Sequence, residues 1–451
     1  MGKRLILVLA LALVVGLTFS AAYAEVQNVK VSGDIIASGV ARNHFNLQEG
    51  AAGDKKDINQ SFFMTQTRVR IDADLTDNVS ATVRLINERV WNGQNDSTSS
   101  GNIDLDLAYV TLKEFLYSPL SLTIGRQEIS FGNGLIIGNA KIGTNGLVNI
   151  PTDLTERKAF DAIRATLNYD PLVVDLIYAK INEQDTTRNN DTDLMGINAT
   201  YTLNKKTNVS AYYFLKSNNN SGVSNSLGKA DKTNTIGALI TNNSIENLIL
   251  SLEGAYQFGK VDGAVAPSNN YNRRSAYALQ AMADYTFAKI KMTPKIGASY
   301  TYLSGDRNVI ASGQSSWDAM YYDQKLGNIA YALFDFSDLS VFNLKGSFKP
   351  VEDVTISMLY GYFDLAQAGD DGWVYTSANR YDGTNRYFSN VPLRSGKVHL
   401  GDEIDATITY DYTEDVQFGL TAGLFVPGNV WETTSNKQNA TQLIGSMKVT
   451  F

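Results

Sequence analysis

Five arginines fall on stretches of alternating polarity: Arg68 and Arg70, then Arg84, Arg126 and Arg164. A guanidinium group offers planar, paired donors that match carboxylates and phosphates, so a row of them facing water inside a pore would lower the barrier for anions. The chain also supplies carboxylates nearby, at Asp72, Asp104, Asp106, Glu128 and Asp175. Pairing with these would instead make the arginines struts of a wall. The sequence leaves both readings open. Further along, Lys291, Lys295 and Lys345 share the polar phase with Glu253, Asp284, Glu403 and Asp405, so the interior is mixed in sign. The expected lining residues are Arg68, Arg70, Arg84, Arg126, Glu128, Arg164, Asp106, Asp175, Lys295, Lys345, Glu403 and Asp405.

Catalysis is poorly provided for. The two histidines, His44 and His399, have no nucleophile motif beside them. Asp370, Asp371 and Asp382 match no calcium-loop spacing, and the glycines after Gly132 lack the spacing of a dinucleotide fingerprint. No enzymatic activity, cofactor or metal is expected. The formal net charge of −7 weighs against a nucleic-acid partner, and the absence of cysteine removes disulfides as a way of holding loops.

The elements that must position these charges show best at the C-terminus. Leu443, Gly445, Met447, Val449 and Phe451 share one phase of a period-2 pattern that runs to the final residue. Such a strand needs a neighbour on each edge, as the closing strand of a transmembrane barrel has. The pattern predicts 18 strands, near 26–44, 59–75, 79–91, 103–114, 119–131, 159–169, 172–182, 193–203, 208–217, 233–241, 247–259, 274–287, 291–304, 339–349, 352–365, 399–411, 415–426 and 440–451. Connections after even-numbered strands are tight, as at Thr76-Asp77-Asn78, and those after odd-numbered strands are long and polar. That segregation predicts an all-β, antiparallel, up-and-down transmembrane barrel with a water-filled lumen, its short turns in the periplasm and its long loops outside. A soluble sandwich does not segregate loop lengths so strictly, and a β-helix would show a repeat.

Met1 to Ala24 reads as a secretory signal: Lys3 and Arg4, an apolar run too short for a span, then Ala22-Tyr23-Ala24. Residues 25–451 are then a single barrel. The terminal Phe451 resembles the signal by which bacterial outer-membrane barrels are recognised for insertion, which implies the outer membrane's lipid bilayer and its barrel-assembly machinery as partners. A monomer is expected.

Gly125-Arg126-Gln127-Glu128-Ile129-Ser130-Phe131-Gly132-Asn133-Gly134, followed by Gly138, resembles the alginate-export family of outer-membrane barrels. So do Gly401-Asp402-Glu403-Ile404-Asp405 with Gly423 to Gly428, and Phe160 to Arg164. The resemblance implies an 18-stranded channel for passive passage of anionic solutes or polysaccharide. A general or nutrient pore, or a sheath around a partner protein, are the alternatives. No connection after an even strand is long enough for a periplasmic plug.

Unbroken alternation from Leu120, Leu122 and Ile124 would point Arg126 into lipid, so a bulge at Gly125 is expected to turn Arg126 and Glu128 inward and Ile129 and Phe131 outward. The loop from Gly132 to Lys158 carries Leu135-Ile136-Ile137 and is expected to fold against the wall or into the pore as a constriction.

Overall fold

A computed structural model describes residues 27–47, 59–92, 103–140, 150–183, 191–219, 231–261, 272–306, 313–368, 396–431 and 437–451. The N-terminal segment read as a signal, and Asp370, Asp371 and Asp382, lie outside the described residues.

Eighteen strands form the wall: β1 (Asn28–Asn43), β2 (Gln60–Thr76), β3 (Val79–Val90), β4 (Asp104–Leu112), β5 (Leu120–Gln127), β6 (Phe160–Asn168), β7 (Leu172–Asn182), β8 (Thr192–Asn204), β9 (Thr207–Asn218), β10 (Asp231–Asn242), β11 (Leu248–Val261), β12 (Asn272–Thr286), β13 (Lys295–Leu303), β14 (Leu339–Val351), β15 (Val354–Leu365), β16 (His399–Asp411), β17 (Val416–Pro427) and β18 (Ala440–Thr450). Each pairs antiparallel with its neighbours in sequence, and β1 pairs with β18 from Asp34↔Thr450 to Asn43↔Thr441, which closes the barrel. Beyond β18, Phe451 and Gly33 exchange two backbone hydrogen bonds of 2.7 and 3.0 Å, so the closing ladder reaches the last residue. A two-residue parallel strand, Gly313–Gln314, adds to β12 above the wall.

Closure leaves no edge unpaired, which is what lets strands cross a bilayer. Among the described residues no helix is long and apolar enough to do so. The pleat then sorts the side chains. On β11 and β12 the outward residues Leu250, Leu252, Tyr256, Tyr277 and Leu279 are exposed, while their alternates Glu253 and Gln280 are 2% exposed. Tyr256 with Phe258 at one rim, and Tyr285 with Phe287 at the other, form aromatic girdles on the outer surface.

Two expected strands run long. β5 ends at Gln127, not at residue 131, because Glu128 turns in to pair with Arg84 and Ile129 is buried inside the barrel. β13 starts at Lys295, not at residue 291, because residues 287–294 make a turn in which the Phe287 N–H donates to the Pro294 carbonyl. Lys291 therefore sits in that turn and does not face the lumen.

The expected bulge at Gly125 is absent. The ladder runs evenly through Ala108↔Arg126, Tyr109↔Gly125 and Val110↔Ile124, and through Gly125↔Ala162 and Arg126↔Asp161. Arg126 stays in phase with Ile124 and Ile163 on the outer surface, paired with Asp161 at 3.0 Å. The pair lies at the outer end of two short strands, where the cost of a lipid-facing Arg falls to about 0–1 kcal/mol, so no phase change is needed. Nor do Ile129 and Phe131 turn outward, since Ile129 is buried and Phe131 stacks on Phe214 inside. The wall bulges one strand earlier: Arg84 opposes Leu107 and Leu85 opposes Leu105, which leaves Asp106 as the extra residue. Asp106 and Leu107 both turn inward, each 1% exposed.

Gly125 still needs to be glycine. Its φ is +121°, and a Cβ there would collide with the Ala108 carbonyl oxygen. Gly125→Ala should destabilise the barrel by about 1–3 kcal/mol. Loss of the compact band on unheated gels at a lower temperature than wild type would report it, and an unchanged melting profile would count against it.

Candidate functional site

The outer half of the lumen is not open water. The described part of the β13–β14 connection, residues 304–306 and 313–338, folds inside with Trp317, Tyr322, Phe334 and Phe336 buried and carries a short helix, α1 (Asn328–Leu333). The β5–β6 connection meets it there, as its Leu135-Ile136-Ile137 run anticipated. The two loops share backbone hydrogen bonds, Gly138 N to Tyr321 O at 2.8 Å, Tyr321 N to Ile136 O at 3.0 Å and Asp323 N to Gly134 O at 2.8 Å, and Lys158 pairs with Asp323 at 2.6 Å. The approach is close enough that a Cβ on Gly138 would lie 2.6 Å from that of Asp323.

Wall residues hold this assembly. Asp318 pairs with Lys216 of β9, with an Nζ–Oδ1 distance of 2.6 Å, and stands 3.8 Å from Arg274 of β12. Its backbone exchanges hydrogen bonds of 2.8 and 2.9 Å with the Gln257 side chain of β11. Burial alone would raise the Asp318 carboxyl, but Lys216 and Arg274 beside it hold it well below the usual carboxylate range. On the far side, Glu403 accepts from the N–H groups of Ile329 and Ala330 at 2.6 and 2.8 Å, and Asp405 accepts from that of Asn328 at 3.0 Å. These carboxylates satisfy donors at the start of α1 that have no partner within the helix. Glu403 and Asp405, expected to line open pore, are thus anchors of the inward loop.

Arg68 and Arg70 of β2, Arg84 of β3 and Arg164 of β6 face inward, and each has a carboxylate. Arg68 pairs with Asp34 at 2.7 Å and with Glu156 of the β5–β6 loop at 3.1 Å. Arg70 pairs with Asp72 at 2.7 Å, Arg84 with Asp106 at 2.5 Å and with Glu128, and Arg164 with Asp175 at 2.8 Å. Asp104 goes to Arg157 of the loop, which also holds Glu88 at 3.2 Å. Of the two sequence readings, the geometry is that of struts, with Arg126 apart on the outer surface.

The opposite wall is different. On β14, Asn343 is fully buried under the loop while Lys345, two residues nearer the periplasm and in the same phase, is exposed. The lumen therefore opens to water at that level. A cavity of about 370 Å³ lies there beneath the loop, lined by Lys295, Lys325, Lys345, Asp284, Asp405 and Thr407 among others. Among the described residues, none of the three lysines makes an ion pair. Lys325 reaches only the Asp153 carbonyl at 3.4 Å and the face of Tyr331 at 5.1 Å.

Sequence reasoning missed Asp318, Lys216, Arg274, Glu88, Arg157 and Lys325. A signal for the first was present, since Trp317, Met320, Tyr321 and Tyr322 form an apolar run in an outer loop of the same kind as Leu135 to Ile137. His399 lies at the outer rim, stacked on Tyr362 and held between Asp364 at 2.9 Å and Asp402 at 3.1 Å.

A family model described as alginate export matches residues 40–443. No curated protein matches. Among solved structures, Pseudomonas aeruginosa OpdQ is similar at 14% identity over 95% of this chain and 100% of that one, with a TM-score of 0.55. Pseudomonas aeruginosa OpdK with vanillate matches at 10% identity over 94% and 99%, TM-score 0.53, and OccK8 (OprE) of the same organism at 11% over 95% and 100%, TM-score 0.54. At these identities the likeness is one of fold.

Proposed function

The chain belongs to the alginate export family and forms an outer-membrane channel, and from that premise we propose that it passes small anionic, hydrophilic solutes by passive diffusion. The observation that carries this reading is the division of the lumen: an outer half narrowed by two interlocked loops, above a wet half bordered by Lys295, Lys325 and Lys345, which make no ion pair among the described residues. A narrowed path favours monomers over a polysaccharide chain, and lysines without carboxylate partners favour anions. OpdK, of the same fold, has been crystallised with vanillate, a carboxylate, which fits this class of solute. We further propose that Met1 to Ala24 is the export signal, cleaved near Ala24, that residues 25–451 are inserted by the barrel-assembly machinery, and that the channel works as a monomer without catalytic activity.

The test is swelling of liposomes that contain the purified barrel, with a hexuronate monomer, a neutral hexose and a uronate oligomer as osmolytes. The monomer should enter faster than the hexose at low salt, and the oligomer should stay out. Entry of the oligomer at the monomer's rate would move the reading to polysaccharide, and no entry of any solute would move it to a sheath around a partner.

A further inference from the structure

Among the described residues the lipid-facing surface carries a dent on β11 to β13. Ala281 and Ala283 of β12 and Ala298 of β13 form its floor, and Leu250, Leu252 and Tyr300 stand on either side, around an apolar volume of about 420 Å³. The registers Leu252↔Ala281↔Tyr300 and Leu250↔Ala283↔Ala298 make two successive rows, so the dent is a groove running along the strands. From Ala281 to Phe287 the strand rises about 20 Å, or about 15 Å along the membrane normal once tilted, which is one leaflet of hydrocarbon. The groove thus lies in the periplasmic leaflet and leads toward the turn at residues 287–294.

That turn suits the end of a lipid. Ile290 and Met292 are exposed at 52% and 42%, as suits a turn resting in the membrane interface. Lys289 and Lys291 alternate with them, exposed and without an ion pair among the described residues. Two cations at headgroup level below an acyl-sized groove complement a phosphate joined to an apolar chain. We infer that the groove holds one acyl chain of an anionic phospholipid of the periplasmic leaflet, with its phosphate against Lys289 and Lys291. The lipid fills space that the alanines leave open in the belt, where a bare groove would forfeit contacts on one side.

The test is native mass spectrometry of the barrel in mild detergent, titrated with phosphatidylglycerol or with phosphatidylcholine of the same acyl chains. The wild type should retain one phosphatidylglycerol per chain, favoured about 30-fold over phosphatidylcholine, as expected for about 1 kcal/mol of attraction per lysine at the surface. Ala281→Leu with Ala283→Leu should lose retention of both lipids. Lys289→Gln with Lys291→Gln should keep retention but lose the headgroup preference, whereas Lys205→Gln with Lys206→Gln, in another short turn, should keep it. Folding of each variant is checked by its compact band on unheated gels. Equal retention of the two lipids by the wild type, undiminished retention in the groove-filled variant, or a lipid-free species of two chains would overturn the inference.

Discussion

Replacing Asp318 by alanine should release the inward loop and raise the single-channel conductance. Among the described residues Asp318 is the carboxylate that pairs with Lys216 and stands beside Arg274, and its removal leaves those two cations without it. Breaking a buried pair costs about 3 kcal/mol or more, and here the low end applies because the carboxylate keeps some contact with solvent. A change of about 3 kcal/mol shifts the ratio of released to seated loop by about 100-fold. Asp318→Asn, whose amide oxygen can still accept from Lys216, should show the same change in smaller degree. The pH dependence has a definite sign. Lys216 and Arg274 hold this carboxyl below its unfolded value, so the anchor is at full strength above about pH 4 and weakens only as the pH falls below that. Wild-type conductance should therefore stay level from neutral pH down to about 4 and rise below it, while the alanine variant should be high throughout. An alanine variant with wild-type conductance at pH 7 would show that Glu403, Asp405 and the apolar contacts seat the loop alone.

The wall was legible because a barrel strand repeats every two residues and each has an apolar outer face to satisfy. The Leu250, Leu252 phase of β11 needs nothing but the membrane to define it, and the tight turns gave the order. The lumen was less legible, since an inward residue can face water, a loop or an ion partner, and period-2 alternation cannot tell these apart. Glu403 and Asp405 read as liners because they alternate with Ile404, yet their partners are backbone N–H groups about 75 residues earlier in the chain. Arg126 misled for a related reason. Alternation gave its direction correctly, but its depth follows from where β5 stops, and β5 stops early because Glu128 is drawn to Arg84. Ion pairs such as Arg68 with Asp34 depend on the register of β1 on β2, which the sequence of either strand alone does not specify.

Selectivity should follow the lysines and not the arginines. A strut such as Arg70 with Asp72 presents almost no net charge a few ångströms away, so Arg70→Gln with Asp72→Asn, which removes both charges, should leave the reversal potential in a potassium chloride gradient nearly unchanged. Lys295 and Lys345 have no such partners among the described residues, and they border the wet cavity beneath the loop. Each can contribute up to about 1 kcal/mol to anion partitioning at contact distance in water, about fivefold, and this fades beyond about 8 Å at physiological salt. Lys295→Glu with Lys345→Glu should therefore turn an anion-preferring pore into a cation-preferring one at low salt, with both pores approaching neutrality as salt rises. Arg126→Glu should change nothing in the same measurement, because that side chain lies on the outer surface with Asp161. If the lysine variant kept the wild-type reversal potential while removal of the Arg70 and Asp72 charges shifted it, the struts would be setting the field and the anion path would run along β2 and β3.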